Sequence, residues 1–194
     1  MAEVRSLCVY CGSSNRAAHS YLEAAFALGR LIGRAGIELI YGGGRIGLMG
    51  RVADGALVEG GRVTGIIPAY LHDREVAHPA ISELLVVGSM HERKQLMAER
   101  SDGFLVLPGG FGTLDELFEI VTWRQLGLHD KPIVVIDLDG YWRPLAALFE
   151  RMATERFIER GELQLIEWIE RIEDALPTLA AAPSSQHRLE SPRL

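Results

Sequence analysis

The stretch LPGGFGTLDE, residues 107–116, decides the fold that this chain is expected to adopt. It follows the short apolar run GFLVL at residues 103–107, which is typical of a buried strand. Three glycines come next within four residues, and a helical pattern begins at Thr113. A buried strand that runs through a tight turn into a helix is a unit of α/β proteins, so we expect a sheet covered by helices.

The same turn predicts an anion-binding site. The first N–H groups of a helix have no acceptor within the helix and carry partial positive charge, and glycines let a ligand approach them closely. Glu116 follows, a carboxylate that an anion site alone does not require. The combination indicates chemistry on a phosphorylated small molecule. Glycine-rich turns also occur simply to connect strand and helix tightly, and that alternative stays open.

Two common phosphate-binding motifs are excluded by the spacing. No Gly-Lys-Ser/Thr follows the turn, so it is not a P-loop. No G-x-G-x-x-G follows the first expected strand, so the dinucleotide fingerprint is missing as well.

Apolar runs alternate with amphipathic segments along the chain, which favours one doubly wound, Rossmann-like parallel sheet of about seven strands flanked by helices. The expected strands are 6–10, 37–41, 63–67, 83–87, 103–107, 133–137 and 165–169. The expected helices are 20–34, 47–59, 89–100, 113–126, 141–158 and 173–181. We expect one nucleotide-binding catalytic domain, residues 1–182, and a disordered tail, residues 183–194.

Composition narrows the possible partners. With 194 residues, 48% of them apolar, the chain can bury a sizeable core. Its net charge of -6 argues against a nucleic-acid binder, which needs a basic face. We find no leader and no apolar run long enough to span a membrane, so we expect a soluble cytoplasmic protein.

Cys8 and Cys11 have the C-x-x-C spacing of a redox pair or of half a zinc site. However, Cys8 lies within an apolar strand pattern, whereas a redox cysteine is expected at a helix start. No second Cys/His pair with ligand spacing follows. We therefore expect two structural cysteines and no metal.

Other strand ends carry residues suited to a ligand crevice. A polar loop at residues 11–15, with Ser13, follows the first strand, and a second glycine-rich turn at 42–50, with Gly43, follows the second. Residues 89–100 form a helix with Ser89 as its expected N-cap. Because parallel sheets gather ligands at the carboxyl ends of their strands, we expect these segments to share one crevice.

The motif P-G-G-x-G-T-x-x-E at residues 108–116, with M-x-x-R-K at 90–94, resembles the signature of the LONELY GUY (LOG) family. These are cytokinin riboside 5′-monophosphate phosphoribohydrolases, long labelled lysine decarboxylases. The resemblance covers residues 5–180 and implies hydrolysis of the N-glycosidic bond of N6-modified AMP, giving free base and ribose 5-phosphate. It also implies a homodimer with the site near the subunit interface, and no metal or organic cofactor.

The resemblance assigns roles to individual residues. Arg93 and Glu116 are the implied catalytic pair. The implied substrate-binding residues are Ser13, Gly43, Glu75, Met90, Lys94, Gly109, Gly110, Phe111, Gly112, Thr113, Leu114, Asp115 and Thr122.

Two other functions stay open at this point. One is a general nucleosidase for AMP and other purine nucleotides, because no sequence feature proves an apolar pocket for an N6 substituent. The other is a non-catalytic carrier of a nucleotide or of molybdenum cofactor. A carrier has no need of Arg93 with Glu116, and it would bind its ligand without releasing a base.

Overall fold

The structure, a computed structural model, describes residues 4–72 and 76–182. Its strands are β1 Ser6–Tyr10, β2 Glu38–Tyr41, β3 Val63–Pro68, β4 Glu83–Val87, β5 Gly103–Val106, β6 Ile133–Ile136 and β7 Glu167–Ile169. Its α-helices are α1 His19–Arg34, α2 Gly47–Val58, α3 Ala69–His72, α4 Met90–Glu99, α5 Phe111–Gln125, α6 Arg143–Thr154 and α7 Ala175–Ala181. Short 3-10 turns occupy Leu138–Gly140, Arg160–Leu165 and Ile172–Asp174.

The seven strands of the described residues form one sheet in the order β4-β3-β2-β1-β5-β6-β7. All six neighbouring pairs are parallel. The predicted doubly wound parallel sheet is therefore confirmed. The strand order reverses between β1 and β5, which pair with Cys8 opposite Phe104 and Tyr10 opposite Val106. At such a reversal the connections leave in opposite directions, so a crevice opens at the carboxyl ends of the two strands.

Alternation along the central strand divides the core between the two faces of the sheet. Leu7 and Val9 pack with α1, α2 and α7, whereas Cys8 and Tyr10 pack with α4, α5 and α6. Because side chains of a strand alternate between faces and both faces are covered, β1 is buried along its whole length.

Glycine permits close packing of α1 on α2. A Cβ on Gly29 would lie 2.0 Å from the Val52 carbonyl oxygen, and one on Gly55 would lie 2.1 Å from the Phe26 carbonyl oxygen. The close approach of the two helices, backbone to backbone, explains why these two positions are glycine.

Among the helix bounds that differ from the sequence prediction, those of α5 and α6 have an identifiable cause. α5 begins at Phe111 with Gly110 as N-cap, two residues before the predicted start at Thr113. Because glycine disfavours helix interiors, the sequence pattern did not predict that Gly112 belongs to the first turn of α5. α6 occupies Arg143–Thr154 rather than 141–158, because Asp139 and Gly140 adopt positive φ and set its start.

The predicted N-cap of α4 is confirmed. Ser89 caps α4, its Oγ accepting the N–H of Glu92 at 3.1 Å. Gly36 ends α1 with φ 69°. No helix in the described part of the chain is long and apolar enough to cross a membrane. The predicted tail, residues 183–194, lies outside the described residues, and the domain boundary at 182 stays a prediction.

Candidate active site

The loops after β1 and β5 touch where the strand order reverses. The Gly12 N–H donates to the Pro108 carbonyl at 3.1 Å. A Cβ on Gly109 would lie 2.1 Å from Thr113 Oγ1 and 2.9 Å from the Gly12 nitrogen. Gly109 therefore has a packing reason to be glycine, because any side chain would separate the two loops.

Gly110 and Gly112 differ from Gly109, because a Cβ on either of them would meet nothing within 4 Å. Packing within the chain does not require glycine at these positions. Gly110 is the N-cap of α5, and the N–H groups of the first turn have no acceptor within the helix. With the helix dipole, they present roughly half a positive elementary charge to an anion.

These loops border a cleft of about 560 Å³. Its lining comprises Cys11, Gly12, Ser13, Ser14, Arg16, Ala17, Ala18, Tyr21, Leu48, Met49, Leu71, Met90, Arg93, Pro108, Gly109, Gly110, Phe111, Gly112, Thr113, Glu116 and Tyr141. Both implied catalytic residues are among them. So are seven of the implied substrate-binding residues: Ser13, Met90, Gly109, Gly110, Phe111, Gly112 and Thr113.

Arg93 is a buried arginine with only 3% of its surface exposed. Its Nε donates to the Ile66 carbonyl at 3.0 Å, and its Nη2 donates to the Gly42 carbonyl at 2.9 Å. A Cβ on Gly42 would lie 2.1 Å from Nη2. Gly42 therefore makes room for the guanidinium, which the ends of β2 and β3 hold in a defined place.

Glu116 lies in the second turn of α5, is half-buried and lines the cleft. Burial, followed by the negative charge of Glu116, raises the pKa of the Cys11 thiol well above its usual value. The same two causes raise the pKa of Cys8. Glu116 therefore lies close enough to β1 for its charge to act on both thiols.

Both cysteines are buried and free. Their raised pKa values keep them as neutral thiols, which are poor nucleophiles and poor metal ligands. Within the described residues, no group of three or more His, Cys, Asp or Glu side chains could hold a metal ion. This favours the structural interpretation of the C-x-x-C pair.

Lys94 and Asp115 do not line the cleft. The Lys94 ammonium lies 3.0 Å from Asp115 Oδ2 and 3.1 Å from Glu119 Oε1, so it ties α4 to α5. Partial burial lowers the pKa of Lys94, but hydrogen bonds to these two carboxylates outweigh it and raise that pKa above its usual value. Substrate binding by Lys94 and Asp115 stays a prediction.

The remaining implied substrate-binding residues lie apart from the cleft or outside the described part. Gly43 has φ 80° and backs onto Ile67 and Leu84. Leu114 packs against the core on the α5 side of the sheet, and Thr122 lines a separate small apolar groove. Glu75 lies outside the described residues. Their roles stay predictions.

The cleft is also lined by residues that no sequence motif predicted, among them Arg16, Tyr21, Leu71 and Tyr141. The Tyr141 hydroxyl donates to the Gly109 carbonyl at 2.7 Å, so it braces the turn that begins α5. The sequence did contain a signal for Tyr141, because Asp139-Gly140 predicts a turn directly after β6, at the same edge of the sheet.

Comparison with known proteins identifies the family of the chain. The family model described as possible lysine decarboxylase matches residues 49–179. The probable cytokinin riboside 5′-monophosphate phosphoribohydrolase LOGL1 of Oryza sativa subsp. japonica is 48% identical over 162 residues, which cover 82% of this chain and 72% of the rice protein. The cytokinin riboside 5′-monophosphate phosphoribohydrolase LOG3 of Arabidopsis thaliana is 42% identical over 184 residues, covering 91% of this chain and 85% of LOG3.

Among solved structures, a molybdenum cofactor binding protein from Rippkaea orientalis superposes with a TM-score of 0.70. The match covers 93% of this chain and 98% of that one, at 22% sequence identity. At this identity the likeness shows the fold alone. The sequence relatives decide the family: the chain belongs to the LOG family of cytokinin riboside 5′-monophosphate phosphoribohydrolases, whose family model bears the description possible lysine decarboxylase.

Proposed function

We propose that this chain is a cytokinin riboside 5′-monophosphate phosphoribohydrolase. It hydrolyses the N-glycosidic bond of N6-modified adenosine 5′-monophosphates to free base and ribose 5-phosphate. The observation that carries the proposal is that one cleft combines the start of α5 with Arg93 and Glu116, in a chain whose relatives bear this name.

The start of α5 binds the 5′-phosphate in this proposal. Gly110 and Gly112 leave open space where the anion lies against backbone N–H groups. Binding energy from the phosphate then holds the ribose in place for reaction at its C1′ atom, a use of remote binding energy that raises turnover.

Glu116 carries the chemical step. Breaking the bond between C1′ and the base leaves its electron pair on the base and builds positive charge on the ribose, as in glycoside hydrolysis. A carboxylate beside C1′ stabilises that charge and takes a proton from the attacking water. The water oxygen forms the new bond to C1′, and the departing base takes up a proton.

Arg93 acts by charge and position rather than by proton transfer, because a guanidinium stays protonated at ordinary pH. Its bonds to the carbonyls of Gly42 and Ile66 fix it at one wall of the cleft. There it grips substrate oxygens and orients Glu116.

Two methionine side chains lie near Arg93, which supports an N6-modified substrate over plain AMP. The Met90 Sδ lies 3.6 Å from Arg93 Nη1, and the Met49 Sδ lies next to Gly42, against which Arg93 packs. Methionine adapts its shape to apolar groups such as an isopentenyl chain. A general AMP nucleosidase would catalyse the same reaction without using Met49 and Met90 to bind an N6 substituent.

Decarboxylation of lysine is disfavoured by the two lysines of the chain, Lys94 and Lys131. A pyridoxal enzyme needs a lysine free to form a Schiff base in its site. Lys94 pairs with two carboxylates, and Lys131 is buried with its ammonium donating to the Ala98 carbonyl at 2.8 Å. Neither lines the cleft.

The proposal includes a cytoplasmic homodimer in which the partner covers the outer surface of α5. Phe111 is 92% exposed at the mouth of the cleft, and Leu126 is 67% exposed at the end of the same helix. Thr122 lies on that surface, so its implied contact with substrate suits a neighbouring subunit's site. Sedimentation of the purified protein tests this, and a monomer at assay concentration would contradict it.

Incubation with N6-isopentenyl-AMP tests the proposed reaction directly, with free base and ribose 5-phosphate measured separately. We expect both products in equal amounts and a higher kcat/KM than for AMP. Equal kcat/KM values would support the general nucleosidase. Tight binding without release of base would support a carrier.

A further inference from the structure

The charge of the substrate is larger than the start of α5 can balance. A phosphate monoester carries about −1.5 to −2 charges near neutral pH, whereas a helix start offers roughly +0.5. Among the described residues that line the cleft, the cationic side chains are Arg16 and Arg93. This reasoning rests on the proposed function, because it takes the substrate to be a 5′-monophosphate.

Arg93 is poorly placed to supply the missing charge at the phosphate. Its Nε and Nη2 atoms already donate to carbonyls at the ends of β3 and β2, and its surface is 3% exposed. It belongs to the wall near Met90, where the proposed reaction places the base and ribose.

Arg16 lies in the loop after β1, which touches the turn before α5. That contact is the hydrogen bond from the Gly12 N–H to the Pro108 carbonyl. The Arg16 N–H donates to Ser14 Oγ at 3.2 Å, so the loop folds back tightly just before Arg16. The residue is exposed and lines the cleft. Within residues 4–72 and 76–182, the structure gives its guanidinium no ion pair.

We propose that Arg16 is a substrate-binding residue whose guanidinium closes over the 5′-phosphate held by the start of α5. The helix supplies fixed backbone donors from one side, and Arg16 supplies a full positive charge from the other. The planar fork of arginine matches two phosphate oxygens at once, which lysine cannot do. The site is thus completed by a side chain outside both motifs of the sequence.

The variant Arg16→Ala, compared with Arg45→Ala, tests the proposal. Arg45 is also exposed and follows the neighbouring strand β2, but it does not line the cleft, so its removal controls for net charge. For N6-isopentenyl-AMP we expect Arg16→Ala to raise KM by about tenfold or more, since hydrogen bonds to charged groups are worth roughly 1.5–3 kcal/mol. kcat should fall by a smaller factor than KM rises, because phosphate binding also positions the ribose, and Arg45→Ala should match the wild type.

A second test of the role of Arg16 uses a ligand that lacks the phosphate. With N6-isopentenyladenosine, the nucleoside, Arg16→Ala and wild type should have the same kcat/KM. Arg16→Lys should recover part of the loss on the monophosphate, because it restores charge without the fork. An unchanged KM for the monophosphate in Arg16→Ala would overturn the assignment, and so would an equal loss in Arg45→Ala.

Calorimetric titration with ribose 5-phosphate separates this proposal from the proposed reaction. If the wild type releases no base yet binds ribose 5-phosphate more tightly than Arg16→Ala does, the assignment of Arg16 stands and the hydrolase function fails. If the wild type releases base while both proteins bind ribose 5-phosphate equally, the function stands and the assignment of Arg16 fails.

Discussion

The two glycine-rich turns of this protein have similar sequences and serve different purposes. In the turn before α5, a Cβ on Gly110 or Gly112 would meet open space beside the cleft. In the turn at residues 42–50, a Cβ on Gly42 would lie 2.1 Å from Arg93, and one on Gly47 would lie 2.5 Å from the Ser14 nitrogen. These glycines leave open space beside the cleft in the first turn and make room for the protein itself in the second.

This contrast teaches that a glycine-rich strand end indicates a binding site only when the freed space faces a cleft. The second turn still contributes to function, but through Arg93, whose guanidinium occupies the space that Gly42 leaves. In the proposed reaction, one turn meets the substrate and the other supports Arg93, which also meets it.

The largest expected effect is that of Glu116→Gln, which removes the acid beside the first turn. Loss of a general base reduces turnover by about 10²–10⁴-fold, while AMP binding and the melting temperature should stay nearly unchanged because the amide keeps the shape of the acid. Single-turnover release of base measures the effect. Near-normal turnover would take Glu116 out of the mechanism and leave the first turn as a binding site only.

Gly42→Ala tests the supporting role of the second turn. The added methyl group collides with Nη2 of Arg93, so the guanidinium must move. Misplacement of a catalytic group by about 1 Å can cost on the order of 10² in rate. We expect kcat to fall by that order, together with a lower melting temperature. Wild-type kcat in a folded variant would show that Arg93 does not depend on Gly42.

His129 tests how firmly α5, which carries the first turn, is anchored. Its Nε2 lies 2.8 Å from the Ile120 carbonyl and its Nδ1 lies 3.2 Å from the Lys131 nitrogen. A carbonyl only accepts and an N–H only donates, so the ring is neutral with its proton on Nε2. Burial lowers the pKa of His129 from 6.5 to about 4.

Because the folded-state pKa lies below the unfolded one, the stability from neutral His129 is complete above pH 6.5 and is lost as the pH falls towards 4. The loss amounts to up to roughly 3 kcal/mol. Urea unfolding between pH 7 and pH 4 measures it. In His129→Gln, which cannot titrate, the slope of stability with pH should be shallower; an identical slope would assign it to other groups.

The smallest expected effect is that of Gly110→Ala, the counterpart of Gly42→Ala in the first turn. Gly110 has φ −99° and ψ −152°, which alanine adopts without strain, so the melting temperature should not change. The methyl group takes space meant for the ligand, which should weaken binding of the monophosphate by roughly 1 kcal/mol, about fivefold. Unchanged KM would mean that the open space beside Gly110 is not occupied by substrate.

Consecutive residues of one motif show where sequence reasoning reached its limit. Arg93 and Lys94 were both assigned to the substrate, yet neighbours on an α-helix point about 100° apart. Arg93 lines the cleft, and Lys94 instead meets Asp115 and Glu119 of α5. Which of the two directions faces the cleft depends on how α4 sits on the sheet, and no local pattern encodes that.

By itself the sequence determined the alternation of strands and helices, the turn at the start of α5, and the residue types of the site, because these follow from local periodicity, glycine placement and side-chain chemistry. Tertiary structure decided the strand order and with it the neighbours of that turn. Tyr141 reaches the Gly109 carbonyl only because β6 lies beside β5, and Arg93 reaches Gly42 only because β3 lies beside β2. Such contacts join residues 32 and 51 positions apart, and pairing over those distances depends on the packing of the whole sheet.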